Sequence, residues 1–145
     1  MADAPDPIEL AARALRQRDR SRRQVEERLE RAGVAEELRR DALDTLERVG
    51  YVDDVRFAVT RAATLAARGY GDEGIRHLLE SDGAPAAAIE DALAGLPAEA
   101  DRAAEIVRAH GRSARTATRL ARKGFTEETV EAALGAAFAD DAVEA

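Results

Sequence analysis

The sequence predicts an all-α protein made of three tandem three-helix repeats, each similar to a helix-turn-helix unit. Two observations predict this fold: the composition, and an internal repeat marked by three glycines. Of the 145 residues, 34 are Ala, while three are Phe and none is Trp. Ala favours helix strongly but buries little area, so the large apolar side chains are too few for one deep core. They suit a thin layer of helices in which each unit packs mainly on its neighbours.

Gly33, Gly83 and Gly124 mark the internal repeat, 50 and then 41 residues apart. Each is preceded by two anchors spaced four residues apart, which share one helix face before the Gly ends the helix in the left-handed conformation. Ten residues after each Gly comes a Leu. Three matches in register predict three copies of one unit. The anchors are, in order, Val25, Leu29 and Leu43, then Ile75, Leu79 and Leu93, then Thr116, Leu120 and Leu134.

The first repeat, residues 1–50, begins with a predicted helix over about 8–18. The second helix starts at Ser21, whose hydroxyl can accept from the backbone of Gln24 while the Gln24 side chain returns to the Ser21 amide. This reciprocal capping box is a strong signal for a helix start. The third helix follows the turn after the second and ends at a glycine turn.

The second repeat, residues 51–96, has clear signals at the starts of its first and third helices. Asp53 is a predicted N-cap, with Val52 before it and Phe57 after it placed to form a hydrophobic staple. Pro85 suits the first turn of the third helix, where a missing N–H costs nothing. The repeat is acidic overall.

The third repeat, residues 97–138, starts with a helix predicted over about 98–110 and carries its cations within 102–123. Thr126 is the predicted N-cap of the last helix, and two Glu residues follow it near the positive end of the helix dipole. We expect the acidic tail, 139–145, to fray.

Charge is sorted along the chain, although the net charge is −7. Residues 13–31 hold eight Arg against four acids, and 101–125 hold six Arg and one Lys against two acids. Residues 51–100 hold four Arg against nine acids. The acidic total argues against a protein that coats nucleic acid. The basic ends suit phosphates or an acidic protein surface, although solvated helix faces rich in Arg would give the same pattern.

No group of residues in the sequence predicts catalysis. There is no Cys, and the two His residues lack metal-ligand spacing. Asp53 and Asp54 are adjacent, so on a helix their side chains would point about 100° apart, a poor arrangement for an acid–base pair. No Ser lies in a nucleophile elbow. The sequence therefore predicts a protein that is not an enzyme and that has no cofactor and no catalytic or metal residues.

The segment Gly50-Tyr-Val-Asp-Asp-Val-Arg-Phe57 resembles the RecX family pattern G-Y-[LI]-D-D-x-R-F. The later segment Arg68-Gly-Tyr-Gly71 is similar to the family's K-G-[YF]-G, with Arg where Lys is usual. Asp72 and Leu78 stand at positions that are often Pro and Glu. The resemblance covers about residues 15–134. The residues that carry its motifs and turns are Gly33, Gly50, Tyr51, Asp53, Asp54, Phe57, Gly69, Gly71, Gly83 and Gly124.

RecX proteins regulate the RecA recombinase in bacteria, so the resemblance implies a curved, elongated body that binds along the groove of the RecA filament. It implies inhibition of ATP hydrolysis, strand exchange and co-protease activity, within recombination, DNA repair and the SOS response. Single- or double-stranded DNA is a second implied partner. We expect a cytoplasmic protein that does not bind membranes, because no signal peptide and no membrane-length apolar stretch is visible. We also expect it to be a monomer.

Thirteen residues are candidates for contacts with RecA or DNA. Tyr51 and Phe57 are predicted core residues instead, and Gly69 and Gly71 turn residues. Arg56 is a candidate because nothing local in the sequence requires its charge. The same holds for Arg68 and Arg76, which together with Tyr70 form a predicted middle patch. The full set is Arg16, Arg20, Arg22, Arg23, Arg56, Arg68, Tyr70, Arg76, Arg112, Arg115, Arg119, Arg122 and Lys123.

Two alternatives remain open from the sequence. Helix-turn-helix units joined by Gly can place a helix in the major groove, so a DNA-binding regulator is one. A general helical-repeat scaffold is the other, supported by the architecture alone.

Overall fold

The computed structural model describes residues 6–144, with side chains described as far as residue 135. All regular secondary structure within these residues is α-helical, as predicted. Nine helices follow one another along this part of the chain. They are α1 (Pro7–Gln17), α2 (Arg22–Arg31), α3 (Glu36–Arg48), α4 (Asp54–Ala67), α5 (Asp72–Asp82), α6 (Ala86–Ala94), α7 (Glu99–His110), α8 (Ala114–Arg122) and α9 (Glu127–Glu144).

The helices group into three triplets, α1–α3, α4–α6 and α7–α9, which we call repeats one, two and three. Every pair of helices that packs extensively belongs to one triplet. Each triplet also encloses its own cluster of buried apolar side chains. The predicted three-helix repeats are therefore confirmed, and most of the apolar burial takes place within a repeat rather than between repeats.

The repeat frame found in the sequence forms the centre of each core. Val25, Leu29, Ile75 and Leu79 are fully buried. In the third copy Leu120 is buried in the same way, and Thr116 joins it as a buried polar residue. Gly33, Gly83 and Gly124 take φ values of 83°, 92° and 90°, so each has the left-handed conformation that the sequence predicts at the end of the middle helix.

The middle helices of consecutive repeats meet end to end, and the first such junction joins α2 to α5. The Ser21 hydroxyl donates to the carbonyl of Asp82 at 2.5 Å, while the predicted capping box with Gln24 forms as well. The guanidinium of Arg23 donates to the carbonyl of Ser81. The positive end of α2 thus lies on the negative end of α5, which is a favourable arrangement of the two dipoles.

The second junction, between α5 and α8, repeats this geometry with glycines in place of side chains. The amide of Gly71 donates to the carbonyl of Lys123 at 2.8 Å. A Cβ on Gly74 would lie 2.3 Å from that same carbonyl oxygen, and a Cβ on Gly124 would lie 2.2 Å from the amide nitrogen of Gly74. The two backbones therefore touch directly, which only glycine permits.

The paired aspartates of the Gly50–Phe57 motif cap two different helices. Asp53 accepts from the amide of Arg56 at 3.0 Å and caps its own helix, α4, as predicted. Asp54 accepts from the amide of Arg22 at 2.8 Å, so it caps α2 in the preceding repeat. Asp is among the preferred capping residues, so each of the two adjacent acids has its own structural use.

Three local predictions are wrong. Tyr51 is 61% exposed rather than in the core, because the adjacent Val52 fills the buried position. Val52 lies in the core of repeat one and Phe57 in that of repeat two, so the predicted hydrophobic staple between these two side chains does not form. Pro85 is the N-cap of α6 rather than a first-turn residue.

The predicted N-cap of α9 forms, since Thr126 accepts from the amide of Thr129 at 3.2 Å. The acidic tail expected to fray falls where α9 extends to Glu144. Its side chains, and residue 145, lie outside the described residues, so the fraying stays a prediction.

Candidate interaction surfaces

The candidate arginines around the start of α2, Arg20, Arg22 and Arg23, have partners within the chain. Arg22 lies 2.9 Å from Asp44 and 2.8 Å from Glu47, both on α3. Arg20 donates to the carbonyl of Ala14 at 3.1 Å and so satisfies part of the end of α1. Cations at the start of a helix oppose its dipole, which by itself would make this cluster unfavourable. Together with the role of Arg23 at the first junction, these contacts show that the cluster nevertheless stabilises the fold.

Arg56 is held in the same way by its own turn. Its guanidinium donates to the carbonyl of Gly50 at 2.9 Å and to that of Tyr51 at 3.3 Å, and it lies 3.6 Å from Asp19. The expectation that nothing local requires this charge is therefore wrong. The guanidinium fixes the turn between α3 and α4 in a conformation that leaves the Tyr51 ring exposed.

Arg76 links two helices of repeat two. Its Nε lies 2.7 Å from Glu90 on α6, and its guanidinium also meets Glu73 on its own helix. The hydrogen bond from Arg76 lowers the pKa of Glu90. This charge, too, has a local use, so the expectation from the sequence is wrong here as well.

Tyr70 and Arg102 connect repeats two and three. The Tyr70 ring packs against the core of repeat two, and the Lys123 ammonium lies 4.1 Å from its centroid. Arg102 is buried, and it donates to Asp72 at 2.9 Å and to the carbonyl of Pro97. Sequence reasoning did not single out Arg102. In the sequence, Arg102 is only an Arg that directly precedes the apolar positions of α7. Nothing near it predicts a buried ion pair, because its partner lies 30 residues away.

One exposed face of α8 is strongly basic. Arg115, Arg119 and Arg122 are exposed, and their spacing of four and three places them on one helix face. They line a shallow depression together with Thr118 and Lys123. Within the part of the chain that the structure describes, no carboxylate pairs with these three arginines. We call them the α8 arginines.

The helix dipole explains only part of this arrangement. Arg119 and Arg122 lie in the last turn of α8, where cations are favourable, but Arg115 lies in the first turn, where they are not. The helix contains no acid that could offset their charge. Guanidinium groups that meet no carboxylate among the described residues are well suited to a carboxylate or a phosphate of a partner, since both accept paired hydrogen bonds.

The other candidates are dispersed. Arg16 on α1 and Arg68 at the end of α4 are exposed, and neither has an acidic partner among the described residues. Arg112 is engaged within the chain. Arg76 pairs with Glu90 on α6, whereas Tyr70 contacts Lys123 in repeat three, so the two residues have different local partners. Whether Arg68, Tyr70 and Arg76 act as one patch stays a prediction.

Two further observations bear on the kind of site present. Among the described residues, no group of three or more His, Asp or Glu side chains could hold a metal ion. No helix in the same part of the chain is long and apolar enough to cross a bilayer.

Comparisons with known proteins give one consistent result, although no model of a known protein family matches the chain. The regulatory protein RecX of Acidithiobacillus ferrooxidans is 35% identical over 135 residues, which cover 90% of each chain. RecX of Xanthomonas citri is 29% identical over 137 residues, 88% of this chain and 85% of the relative.

Solved structures agree with the fold. The crystal structure of RecX from Lactobacillus salivarius superposes with a TM-score of 0.76 at 17% identity, covering 89% of this chain and 92% of the other. A second crystal structure of a regulatory protein RecX gives a TM-score of 0.71 at 20% identity, covering 87% and 71%. At these identities the likeness shows the fold, three repeats of three helices.

Proposed function

The chain belongs to the RecX family of regulatory proteins, and we propose that it binds the RecA filament and lowers the activity of RecA. Like other members it is non-catalytic. Binding along the filament groove suppresses ATP hydrolysis, and with it strand exchange and co-protease activity. The protein thereby acts in recombination and in the DNA repair of the SOS response.

The α8 arginines are the observation that supports this proposal most directly. Most other candidate cations have partners within the fold, whereas these three are exposed on one face and no carboxylate among residues 6–135 pairs with them. They can meet acidic side chains of RecA, or the phosphates of the DNA that RecA carries, without breaking an ion pair in the part of the chain whose side chains are described. A surface of this kind steers association through long-range attraction that weakens with added salt.

The modular architecture supports binding to a filament rather than to a single globular partner. Each repeat has its own core, so neighbouring repeats can contact neighbouring subunits. Arg16 in repeat one and Arg68 in repeat two supply further exposed cations away from α8, and neither has an acidic partner among the described residues. Contacts through separate repeats raise the overall affinity because the second contact forms within an existing complex. Bridged subunits move less freely against each other, which hinders ATP turnover.

The test is a titration of DNA-dependent ATP hydrolysis by RecA. We expect the wild-type chain to lower the rate at fewer copies than RecA subunits. The α8 triple variant, Arg115→Ala/Arg119→Ala/Arg122→Ala, should need roughly 10- to 100-fold more protein, since each lost charged contact costs about 0.5–1 kcal/mol at an exposed site and the three together cost about 1.5–3 kcal/mol. No effect of the wild-type chain at saturation contradicts the proposed function.

The matched control removes three exposed arginines from repeat one instead: Arg13→Ala/Arg40→Ala/Arg48→Ala. It changes the net charge equally. Arg13 and Arg40 form only exposed helix pairs with Glu9 and Glu36, which contribute little to stability. Inhibition by this control variant should match that of the wild type. Equal weakening of both variants would show that total charge, and not the face of α8, decides binding.

The α8 arginines also favour a second candidate function, direct binding of duplex DNA. In that case the chain binds DNA without RecA, and the logarithm of its affinity falls linearly with the logarithm of the salt concentration, with a slope set by the number of phosphate contacts. Three contacts give a slope near −2.7, from about −0.9 per phosphate. Fluorescence anisotropy with labelled duplex and no RecA measures it. The net charge of −7 counts against this alternative.

A further inference from the structure

Exposed apolar side chains are concentrated in one short stretch of the chain. Six large apolar residues are exposed among the described residues, and four of them lie between positions 49 and 59. Each is more than half exposed. A soluble protein scatters such residues singly, whereas a cluster marks a contact surface. The four are Val49, Tyr51, Val55 and Val59, which we call the motif surface because it overlaps the Gly50–Phe57 motif.

The fold itself places these side chains outside the core. Val55 and Val59 are one helical turn apart on α4, so they share its outer face. The core-facing positions of the same helix are taken by Phe57, Ala58 and other buried residues. Tyr51 is exposed because Arg56 holds the carbonyls of Gly50 and Tyr51 itself. A tyrosine has only two side-chain dihedral angles, so it loses little conformational entropy on binding, which favours its use as an anchor.

A pocket with a volume of about 530 Å³ lies beside Tyr51. Ala12 and Leu15 of α1 give it an apolar wall, and Arg16 and Arg56 supply two cations. Arg56 is already paired with Asp19. Arg16 is exposed and has no carboxylate among the described residues. The pocket therefore suits an apolar group accompanied by one acidic side chain.

We propose that the motif surface and this pocket form a protein-docking site, in which Tyr51 is the anchor and Arg16 pairs with a carboxylate of the partner. This inference rests on the proposed function, and it names the partner as a subunit of the filament rather than its DNA. Tyr and Arg supply a large share of the binding energy at protein interfaces. The valines offer nothing to a phosphate backbone but bury apolar area against a protein.

Charge argues against a second copy of this chain as the occupant. In a symmetric dimer each patch faces its own copy, so two pockets that each carry two arginines and one aspartate would bring the same surplus of positive charge together. A partner that carries an acidic side chain beside apolar ones has the complementary charge instead. The docking site lies in repeats one and two, whereas the α8 arginines lie in repeat three. The chain thus has two separate attachment sites, one mainly apolar and one electrostatic.

The experiment measures binding of the full chain to RecA filaments assembled on single-stranded DNA with a non-hydrolysable ATP analogue, by co-sedimentation. Tyr51→Ala and Arg16→Glu should each weaken binding about tenfold or more. The matched controls are Leu38→Ala, an equally exposed apolar residue on α3, and Arg13→Glu, an exposed cation on α1. Both should bind within about twofold of the wild type, since surface changes outside a contact have small effects.

Several outcomes separate this inference from the proposed function. If the wild type binds and the α8 triple variant is weakened while Tyr51→Ala and Arg16→Glu are not, the docking site is wrong and the proposed function stands. If the wild type does not bind filaments, both fail. If Tyr51→Ala loses affinity for DNA in the absence of RecA, the surface is a nucleic-acid site and the inference is overturned.

A change from dimer to monomer in Tyr51→Ala, measured by light scattering, would identify a second copy as the occupant and also overturn it. Circular dichroism shows that each variant is folded before it is tested. Because Tyr51 and Arg16 are exposed, we expect the helical signal of both variants to match that of the wild type.

Discussion

The junction between α5 and α8 provides the sharpest test of how the repeats are joined. Gly124 and Gly33 have the same left-handed conformation, with φ of 90° and 83°, but different surroundings. A Cβ on Gly33 would meet no atom within 4 Å, whereas one on Gly124 would lie 2.2 Å from the amide nitrogen of Gly74. The pair Gly33→Ala and Gly124→Ala therefore separates the cost of conformation from the cost of contact.

The expected magnitudes differ clearly. Gly33→Ala carries only the cost of a left-handed alanine, about 1–2 kcal/mol. Gly124→Ala adds about 1–3 kcal/mol for overpacking and weakens the hydrogen bond from Gly71 to Lys123, worth about 0.5–1.5 kcal/mol. We expect its total to lie at roughly 3–6 kcal/mol.

Urea unfolding followed by far-UV circular dichroism measures both variants. With a urea m-value of about 1–3 kcal/mol per M, the two midpoints should differ by roughly 1 M. Hydrogen exchange adds a local test, because opening of the junction in Gly124→Ala should speed exchange of the Gly71 amide while repeat one stays protected. Equal losses of stability in the two variants would refute the direct backbone contact between α5 and α8.

Three further predictions concern single contacts. Asp54→Ala should lower the free energy of unfolding by about 0.5–2 kcal/mol, because the amide of Arg22 loses its acceptor across the repeat boundary; an unchanged urea midpoint contradicts this. Arg76 lowers the pKa of Glu90, so this pair stabilises the fold above the ordinary pKa near 4.5 and loses that effect as the pH falls below it. Glu90→Gln should flatten the loss of stability in acid, and unchanged acid unfolding curves would speak against the pair. The α8 triple variant should keep its stability within about 0.5 kcal/mol; a larger loss would mean that these arginines support the fold.

Helix boundaries and repeats could be predicted because their signals are local. The capping box at Ser21 and the caps at Asp53 and Thr126 each depend on residues within a few positions of one another. The same holds for the apolar spacing of four that ends at Gly33 and its two counterparts. Such patterns act within one helix, so no knowledge of the tertiary structure is needed to interpret them.

The exposure of Tyr51 could not be predicted from those patterns. An aromatic residue beside Val52, just before a helix, fits the core as well as the surface. The choice depends on which of the two side chains fills the first core and on the hydrogen bonds that Arg56 donates to the turn. Both are properties of the folded repeat, and they leave the aromatic ring available to a partner.

The partners of the arginines also could not be predicted from the sequence. Arg22 finds acids 22 and 25 residues away, and Arg102 finds one 30 residues away. A charge run in the sequence contains paired and unpaired cations alike, because nothing local distinguishes them.

The sequence by itself determined the helices, the three copies of the repeat and the membership of the RecX family, since all three are encoded in short-range spacing and in motif residues. Only the tertiary structure decided which surface is free to bind. When the triplets pack and α2, α5 and α8 join end to end, most of the candidate cations acquire partners within the fold. It leaves the α8 arginines and the motif surface exposed, because ion pairs and burial depend on distances between residues that are far apart in the chain.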